Sequence, residues 1–353
     1  MKKIAILGAS YLQKPLILKA KEMGLETHVF AWKEGNVVEE ISDYYYEISI
    51  LDKENILTEC LKIGIDGIIS IASDIAMSTV NYVAAKMDLV GNSIEATYKS
   101  TDKYEMRKAL KRGGIPCPYF EFFDEPNFIE KSKFNFPVIV KPTDRSGSRG
   151  VTKVESFKGV NLAIVKALNN SINGRVIVEE FIVGREFSIE MISYKGIHYE
   201  IAITDKVTTG APFFVEIEHH QPAHLNDLQK SVINKCVKDS LNALGIEHGA
   251  SHSEVLLTKD GDIRVVEIAA RMGGELIGSH MVRLSTGYDF VKGVIQVALG
   301  EFTKLDYNKF KNDFSGVYYV LPKPGKIIAI ENKIKYFKSV KFAIPLLDVK
   351  EEV

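Results

Sequence analysis

Apolar and amphipathic segments alternate through the N-terminal part of the chain. Continuous apolar runs lie at 2–8, 26–32 and 66–71, and helix-compatible segments follow them at 15–23, 54–63 and 75–87. Strands that alternate with helices at this interval predict a parallel α/β sheet. The central strands of such a sheet are buried on both faces, which explains why the apolar runs are continuous. We therefore predict a doubly wound parallel-sheet domain over residues 1–92.

The rest of the chain has a different pattern. Residues 100–112 predict a helix capped by Thr101 or Asp102 and ended by Gly113-Gly114. Beyond a proline-containing linker, short apolar runs predict mostly antiparallel strands, with helices at 160–169 and 227–244. The chain is thus expected to combine α/β and α+β parts. We place their boundaries at 1–92, 93–115 (a linker helix), 116–172 and 173–353.

Composition and charge narrow the class of protein. Hydrophobic residues make up 46% and charged residues 26% of the 353 residues, which excludes a disordered chain, a collagen and a small disulfide scaffold. Lys and Arg total 45 against 46 Asp and Glu, so the net charge of -1 does not indicate a nucleic-acid partner. No apolar stretch approaches the roughly 20 residues of a membrane span, so we expect no membrane partner.

The cysteines bear on the cellular compartment. Cys60, Cys117 and Cys236 are an odd number without CxxC spacing, which is typical of reduced thiols rather than of disulfides or metal ligands. We therefore expect a cytoplasmic protein that acts on small molecules. The sequence is also compatible with a homodimer.

The turn after the first predicted strand tests for a dinucleotide site. Such a site needs G-x-G-x-x-G at this turn and an acid at the end of the second strand. The chain has GASYLQ at 8–13 and ends the second strand at Trp32, so both requirements fail. The carboxyl ends of these strands are still where such sheets bind ligands. Candidates for a substrate pocket at these ends are Ser10, Tyr11, Gln13 and Asp74.

Residues 253–271 predict a β-hairpin that brings two carboxylates together. Strand-like runs at 255–258 and 263–266 flank Asp260-Gly261, a pair typical of a two-residue turn. With that pair at the centre, Glu254 faces Glu267 at about 4.5–5.5 Å between Cβ atoms. The two acids either face solvent and repel each other weakly, or hold a cation between them. Because Glu267 lies within apolar sequence, where an unpaired acid is costly to bury, we favour a Mg²⁺ site that also holds substrate phosphates.

A lysine and a glycine-containing loop follow one another at the end of a predicted strand. Lys141 ends an apolar run, and residues 146–150 (SGSRG) then offer backbone N–H groups, hydroxyls and an arginine. This combination can fold over a polyphosphate, although the segment alone is also compatible with an ordinary exposed turn. It is not a G-x-x-x-x-G-K-[ST] motif, because the lysine precedes the glycines.

Three further features suggest ligand contacts. Residues 179–182 connect two strands and could pair their backbone with an adenine edge, with Glu186 near ribose hydroxyls; two exposed acids at a strand end are the alternative. Arg271, four residues after Glu267, is a candidate cation beside phosphates or a substrate carboxylate. The histidines at 219, 220, 224, 248 and 252 lack a recognised zinc spacing, and they either line an acceptor pocket or are structural. His252 is expected on the face of Glu254.

Together, these residues resemble the ATP-grasp superfamily in their order and spacing over nearly the whole chain. The resemblance rests on Lys103, Lys141-Pro142, 146–150, 179–182, Glu186, Glu254 and 267–271. The chain is most similar to carboxylate–amine ligases: L-amino acid ligases, and the branch of biotin carboxylase, carbamoyl-phosphate synthase and purine-pathway ligases. The resemblance implies a pre-ATP-grasp domain at 1–92, then a two-lobed ATP-grasp fold with antiparallel sheets. Residues 116–172 would be its lid, and 173–353 its core with a C-terminal extension.

The resemblance also implies roles for individual residues. ATP phosphates would be contacted by Lys103 and Lys141 and covered by the loop of Ser146, Gly147, Ser148 and Gly150. Adenine would be held by Glu179 and by the backbone of Glu180, Phe181 and Ile182, and ribose by Glu186. Glu254 and Glu267 would bind Mg²⁺, with Mn²⁺ as an alternative metal. Arg271 and Lys141 would be the catalytic residues.

The implied activity is ATP-dependent formation of an amide or peptide bond through an acyl phosphate, with small-molecule carboxylate and amine substrates. Many members have Asn two residues after the second acid, where this chain has Ala269, so coordination of a second metal ion would depend more on Glu267 and phosphate. Two alternatives remain: a carbamoyl-phosphate synthase-like or carboxylase-like enzyme that uses bicarbonate, and a non-catalytic ATP-binding protein of the same fold.

Overall fold

The structure is a computed structural model that describes residues 1–125, 134–211 and 214–345. Parts of the predicted lid (126–133) and of the predicted core (212–213 and 346–353) lie outside these residues. The chain divides into two compact units, Met1–Val317 and Tyr318–Val353. The second unit is mostly exposed irregular chain with a single 3₁₀ turn, Ile334–Tyr336, in its described part.

The N-terminal part is a parallel sheet covered by helices, as the apolar runs predicted. Its strands are β1 (Lys3–Leu7), β2 (Glu26–Ala31), β3 (Tyr44–Glu47) and β4 (Gly67–Ile69), in the order β3-β2-β1-β4. Its helices are α1 (Lys14–Glu22), α2 (Lys53–Ile63) and α3 (Asp74–Lys86). Ile4 and Ile6 pack into one core and Ala5 and Leu7 into another, so β1 is buried on both faces.

Two short helices connect this sheet to the rest of the chain. They are α4 (Ile94–Thr101) and α5 (Lys103–Arg112). The Asp102 carboxylate caps α5 by accepting a hydrogen bond from the Glu105 N–H at 3.0 Å, which confirms one of the two predicted caps. Lys103 is therefore the first residue of a helix whose start is fixed by its neighbour.

A small antiparallel sheet follows. Its strands are β5 (Phe120–Phe123), β6 (Val138–Pro142), β7 (Thr152–Val154) and β8 (Val176–Glu180), in the order β5-β8-β6-β7. Helix α6 (Val160–Asn170) packs Ile164 and Ala167 into the core of this sheet. Lys141 and Glu179 lie on the adjacent strands β6 and β8.

The large sheet has the strand order β13-β12-β9-β10-β11-β14. Its strands are β9 (Arg185–Tyr194), β10 (Ile197–Thr208), β11 (Glu216–Gln221), β12 (Gly249–Leu257), β13 (Ile263–Ala269) and β14 (Ser315–Tyr318). The helices of this part are α7 (Asp227–Leu244), α8 (Val282–Thr286) and α9 (Phe290–Ala298). In the described part of the chain, no helix is long and apolar enough to cross a membrane.

The two faces of β9 have different roles. Phe187, Ile189 and Met191 pack into the core that α5 and α7 share with the sheet. The alternating residues Glu186, Ser188 and Glu190 therefore point to the opposite face, because successive side chains of a strand alternate. That face carries the candidate active site.

Candidate active site

The hairpin β12–β13 places the two predicted metal-binding acids opposite each other, but by a different route from the one expected. Leu257 pairs with Ile263 around a longer turn in which Gly261 has φ +87°, so the predicted two-residue turn is wrong. An irregularity between Glu254 and Val255 then shifts the register by one residue. As a result Glu254 still faces Glu267, which confirms the predicted pair.

Glu254 belongs to a cluster of three carboxylates around a buried lysine. The Lys206 ammonium lies 2.8 Å from Glu254, 3.0 Å from Glu186 and 2.7 Å from Glu216. Burial alone would lower the pKa of Lys206, but the three carboxylates outweigh it and raise this pKa well above its usual value. Burial likewise opposes ionisation of Glu254, whose pKa is nevertheless lowered by Lys206 and His252. Three acids around one ammonium leave negative charge that a further cation would neutralise.

Glu267 is paired with a different lysine. The Lys103 ammonium donates hydrogen bonds to the Glu267 carboxylate at 2.8 Å and to the Arg145 carbonyl at 2.7 Å. Burial opposes the charge of Lys103, but Glu267, together with the more distant Asp74 and Glu179, outweighs burial and raises the pKa of this lysine. The carboxylates of Glu254 and Glu267 thus already bind cationic groups, and their hard oxygen atoms fit Mg²⁺.

Lys141 is held by a buried carboxylate. Glu179 accepts from the Lys141 ammonium and from Arg107 Nε, each at 2.6 Å. Burial would raise the pKa of Glu179, but Arg107 and Lys141 lower it to about 2. This changes the role expected for Glu179, because a carboxylate engaged by two cations inside the protein has no oxygen turned toward an adenine ring. Its contacts position Lys141 instead.

The backbone segment expected to bind adenine is partly used by the fold. The Glu180 N–H donates to the Tyr119 carbonyl at 2.9 Å and the Phe181 N–H to the Pro137 carbonyl at 3.2 Å. The Ile182 N–H has no acceptor among the described residues. The ring of Phe181 has the Lys153 ammonium 4.4 Å from its centroid. Of the N–H groups considered, that of Ile182 is left for a ligand.

The loop at 146–150 is an exposed turn that starts beside Lys141. Gly147, Ser148 and Gly150 have φ of +67°, +54° and +75°, a region that glycine adopts most easily. The Ser148 hydroxyl donates to the Phe214 carbonyl at 3.4 Å, so the loop touches the connection between β10 and β11. The loop therefore lies where it could cover a ligand bound near Lys141.

Arg271 makes a bidentate ion pair with a residue of the N-terminal sheet domain. Its Nε is 2.9 Å from Asp74 Oδ1 and its Nη2 is 3.0 Å from Asp74 Oδ2. The side chain is largely buried, which disfavours its charge, but Asp74 outweighs burial and raises the pKa of Arg271. The predicted catalytic arginine is thus fixed by a residue 197 positions away.

His252 lies on the face of Glu254, as expected. Its Nδ1 is 2.5 Å from the buried Glu190 carboxylate, and its Nε2 is 3.5 Å from Glu254. Burial would lower the pKa of His252, yet Glu190 and Glu254 raise it to about 9. Glu190 also accepts from the Gly273 N–H at 3.0 Å, close behind Arg271.

The other histidines do not converge on one site. His219 is buried 3.1 Å from Glu216, whereas His220 is exposed and bonds Glu218 at 2.8 Å. Glu216, His219 and Glu275 have ligand atoms within 4.8 Å of one another, so within the described ranges they form a group able to hold a cation. This group takes one histidine of the run, together with two glutamates.

Sequence reasoning missed three residues of this site: Lys206, Arg107 and Glu216. Arg107 contacts Glu179 and Lys206 contacts Glu254, both predicted site residues, whereas Glu216 contacts Lys206. For Lys206 the short turn at 195–196 is not enough: it pairs Ile197 with Tyr194, a register that would set Lys206 opposite Arg185, and the irregularity between Glu200 and Ala202 moves Lys206 opposite Glu186. Arg107 and Glu216 had no local signal.

Comparisons with known proteins agree with this geometry. Residues 134–279 match the family described as ATP-grasp domain. Alanine–anticapsin ligase of Bacillus subtilis is 26% identical over 304 residues, which cover 75% of this chain and 64% of that protein. Dapdiamide A synthase of Enterobacter agglomerans is 23% identical over 252 residues, 67% of this chain and 58% of that protein. The chain therefore spans about three fifths of the length of these curated relatives.

The fold is shared with a solved structure over the whole chain. The crystal structure of an L-amino acid ligase from Bacillus licheniformis superposes with a TM-score of 0.86 at 24% identity, covering 100% of this chain and 89% of that one. This confirms the predicted parallel N-terminal sheet followed by antiparallel sheets. The resemblance found in the sequence is likewise confirmed: the chain contains an ATP-grasp domain and is homologous to amino acid ligases.

Proposed function

We propose that the protein is an ATP-dependent ligase that joins a carboxylate to an amine and releases ADP and phosphate. The observation that carries this proposal is the pair Glu254–Glu267 on adjacent strands, with each carboxylate bound by a buried lysine ammonium. Acids and cations that interleave in this way suit a substrate that combines a metal ion with a polyphosphate. The ligases among the relatives support the same class of reaction.

The nucleotide would be bound between the two antiparallel sheets. Lys103 and Lys141 would contact the phosphates, since both are buried ammonium groups held by carboxylates of nearby strands, Lys103 by Glu267 and Lys141 by Glu179. The loop of Ser146, Gly147, Ser148 and Gly150 would cover them. The Ile182 N–H would bind the adenine edge together with carbonyls of the same segment, and Glu186 the ribose.

Glu254 and Glu267 would hold Mg²⁺, with Mn²⁺ as an alternative. The metal would supply charge neutralisation on the phosphate oxygens. Lys206 and Lys103, which occupy the two carboxylates in the ligand-free chain, would then be free to turn toward the phosphates. Ala269, two residues after Glu267, offers no side-chain oxygen to a second metal ion.

The proposed reaction has two steps. A carboxylate oxygen of the substrate attacks the γ-phosphorus of ATP, the bond to the β-phosphate oxygen breaks, and ADP leaves. The amine then attacks the acyl carbon, phosphate departs, and the nitrogen loses a proton as the amide forms. Lys141 and Arg271 stabilise negative charge on the transferred group. Exclusion of water by the covering loop prevents hydrolysis of the acyl phosphate.

The test is a screen of amino-acid and carboxylate pairs for release of ADP and phosphate with Mg²⁺ and ATP. We expect release only when both a carboxylate and an amine are present, with mass spectrometry showing the amide. Release with bicarbonate alone would instead support the carboxylase alternative. Binding of ATP without release by any pair or by bicarbonate would support the non-catalytic alternative and overturn the proposal.

A further inference from the structure

The turn between β4 and α3 contacts the segment that follows β13 at two points. Asp74, the first residue of α3, binds Arg271 through both carboxylate oxygens at 2.9 and 3.0 Å. Two residues before it, the Ala72 N–H donates to the Met272 carbonyl at 3.3 Å. The N-terminal sheet domain thus holds both the side chain of Arg271 and the backbone next to it.

Arg271 keeps free donors while it is held in this way. A guanidinium has five N–H donors. Nε and Nη2 each use one on Asp74, and Nη1 uses one on the Met272 carbonyl at 3.2 Å. Two N–H groups remain, enough to bind a carboxylate or phosphoryl group with Asp74 still in place. Asp74 is therefore compatible with a bound substrate and need not be displaced by it.

The surroundings of Arg271 show what Asp74 prevents. Glu267 and Glu190 also attract this guanidinium and, after Asp74, contribute to the raised pKa of Arg271. Without the Asp74 carboxylate, Glu267 and Glu190 are the remaining acids that attract this guanidinium. An arginine that moved onto Glu267 would leave the substrate and neutralise a carboxylate needed for the metal.

We propose that Asp74 is a positioning residue that orients Arg271 toward the carboxylate substrate. The N-terminal sheet domain and the segment after β13 then form this part of the site together. The inference rests on the proposed ligase function. It assigns to the N-terminal sheet domain a part in activating the carboxylate, whereas the proposed ATP site lies between the two antiparallel sheets. Among the described residues, no hydrogen bond or ion pair joins Asp74 to Lys103, Lys141 or the covering loop, and its charge acts on Lys103 only from beyond ion-pair distance.

The experiment compares Asp74→Asn with a matched control. Asn keeps the size of the side chain but loses the charge and one acceptor oxygen. Asp289→Asn removes the ion pair of Asp289 with Lys19 of α1, which is 2.8 Å long. This pair also joins the N-terminal sheet domain to the rest of the chain, but it does not involve Arg271. Asn at position 289 can still cap α9. Kinetics are measured with the carboxylate and amine pair found in the screen.

For Asp74→Asn we expect a higher KM for the carboxylate and a loss of up to about 10²-fold in kcat/KM, as for a misplaced catalytic group. The Kd for ATP should stay unchanged, and Asp289→Asn should match the wild type. If Asp74 acts through Arg271, its effect should vanish in an Arg271→Lys background. Equal kinetics of Asp74→Asn and Asp289→Asn, or losses that multiply with Arg271→Lys, would overturn the proposal.

A second measurement needs no substrate. The Tm values of the wild type, Asp74→Asn, Arg271→Lys and the double variant form a cycle, and we expect the two single losses to be clearly non-additive. Additive losses would show that the two residues are not coupled, and the inference would fail. If the Tm values show coupling but the wild type releases no ADP with any substrate pair, the proposed ligase function is overturned instead. Failure of the Asp74 inference and failure of the ligase function are therefore distinguishable.

Discussion

At the scale of single residues, the site is held together by buried charges that compensate one another. Glu179 shows this most clearly, because it lies fully buried between Arg107 and Lys141. Removing one partner of a buried ion pair leaves an uncompensated charge, which costs more than the pair itself contributes. The function of such residues is therefore inseparable from local stability, and variants need controls that separate the two.

Glu179→Gln should lower the free energy of unfolding by about 3–5 kcal/mol, because Arg107 and Lys141 lose their shared counter-charge. Urea denaturation at neutral pH measures this loss. The control is Glu180→Gln, which changes the exposed neighbour and should leave stability unchanged. Because the folded pKa of Glu179 is depressed to about 2, the difference should shrink as the pH falls from about 4 toward 2. A Glu179→Gln protein as stable as Glu180→Gln would contradict the assignment.

His252 predicts a stability change at alkaline pH. Its folded pKa of about 9 lies above the usual 6.5, so its protonated form stabilises the fold. The contribution is complete below pH 6.5 and is lost as the pH rises through 9, a total of about 3 kcal/mol at 1.36 kcal/mol per pKa unit. Between these pH values, we expect the free energy of unfolding of His252→Gln to depend less on pH than that of the wild type. His220→Gln, at an exposed site, should keep the wild-type slope, and equal slopes for both variants would contradict the prediction.

At the scale of elements, helix ends and strand registers place the charged groups. The cap at Asp102 starts α5 one residue before Lys103, and the irregularity at Glu254 restores the register that the longer turn had shifted. Both devices are local, yet each decides where a side chain of the site lies. A change at such a position should therefore affect ligand binding as well as stability.

Asp102→Ala should cost at least about 1 kcal/mol of stability, through loss of the cap and of the contacts of Asp102 with Arg175 and Asn173. It should also weaken ATP binding because Lys103 loses its fixed position. The matched control is Asp52→Ala, which removes a similar cap from α2, where the Asp52 carboxylate accepts from the Asn55 N–H. Chemical denaturation and calorimetric titration with ATP separate the two effects. If both variants bind ATP like the wild type, the start of α5 does not position the nucleotide.

At the scale of the whole molecule, binding of ATP and Mg²⁺ should stabilise the folded chain. Mg²⁺ and ATP at 100 times Kd would stabilise the folded chain by about 2.7 kcal/mol, seen as a higher Tm. Chelation of the metal should remove most of this gain. In Glu267→Gln, the metal-dependent part should be absent and magnesium-dependent ADP release abolished. The control is Glu218→Gln, which changes a half-buried acid paired with the exposed His220. A full metal-dependent shift in Glu267→Gln would contradict the metal assignment.

The parallel sheet, the positions of most helices and the facing pair Glu254–Glu267 could all be predicted from the sequence, since each depends on residues close to one another along the chain. The turn at 259–261 could not, because the same Asp-Gly pair is compatible with more than one turn length. Strand β3 was missed because its residues Tyr44–Glu47 form a half-exposed edge without a continuous apolar run.

The sequence by itself determined the fold class, the order of the motifs and the types of charged group available, because periodicity, caps and hairpins are properties of neighbouring residues. The tertiary structure alone decided which charges meet. Lys206 pairs with an acid 48 positions away, Glu179 with an arginine 72 positions away, and Arg271 with an acid 197 positions away. Burial makes each unpaired charge costly, so packing selects partners that no local pattern specifies.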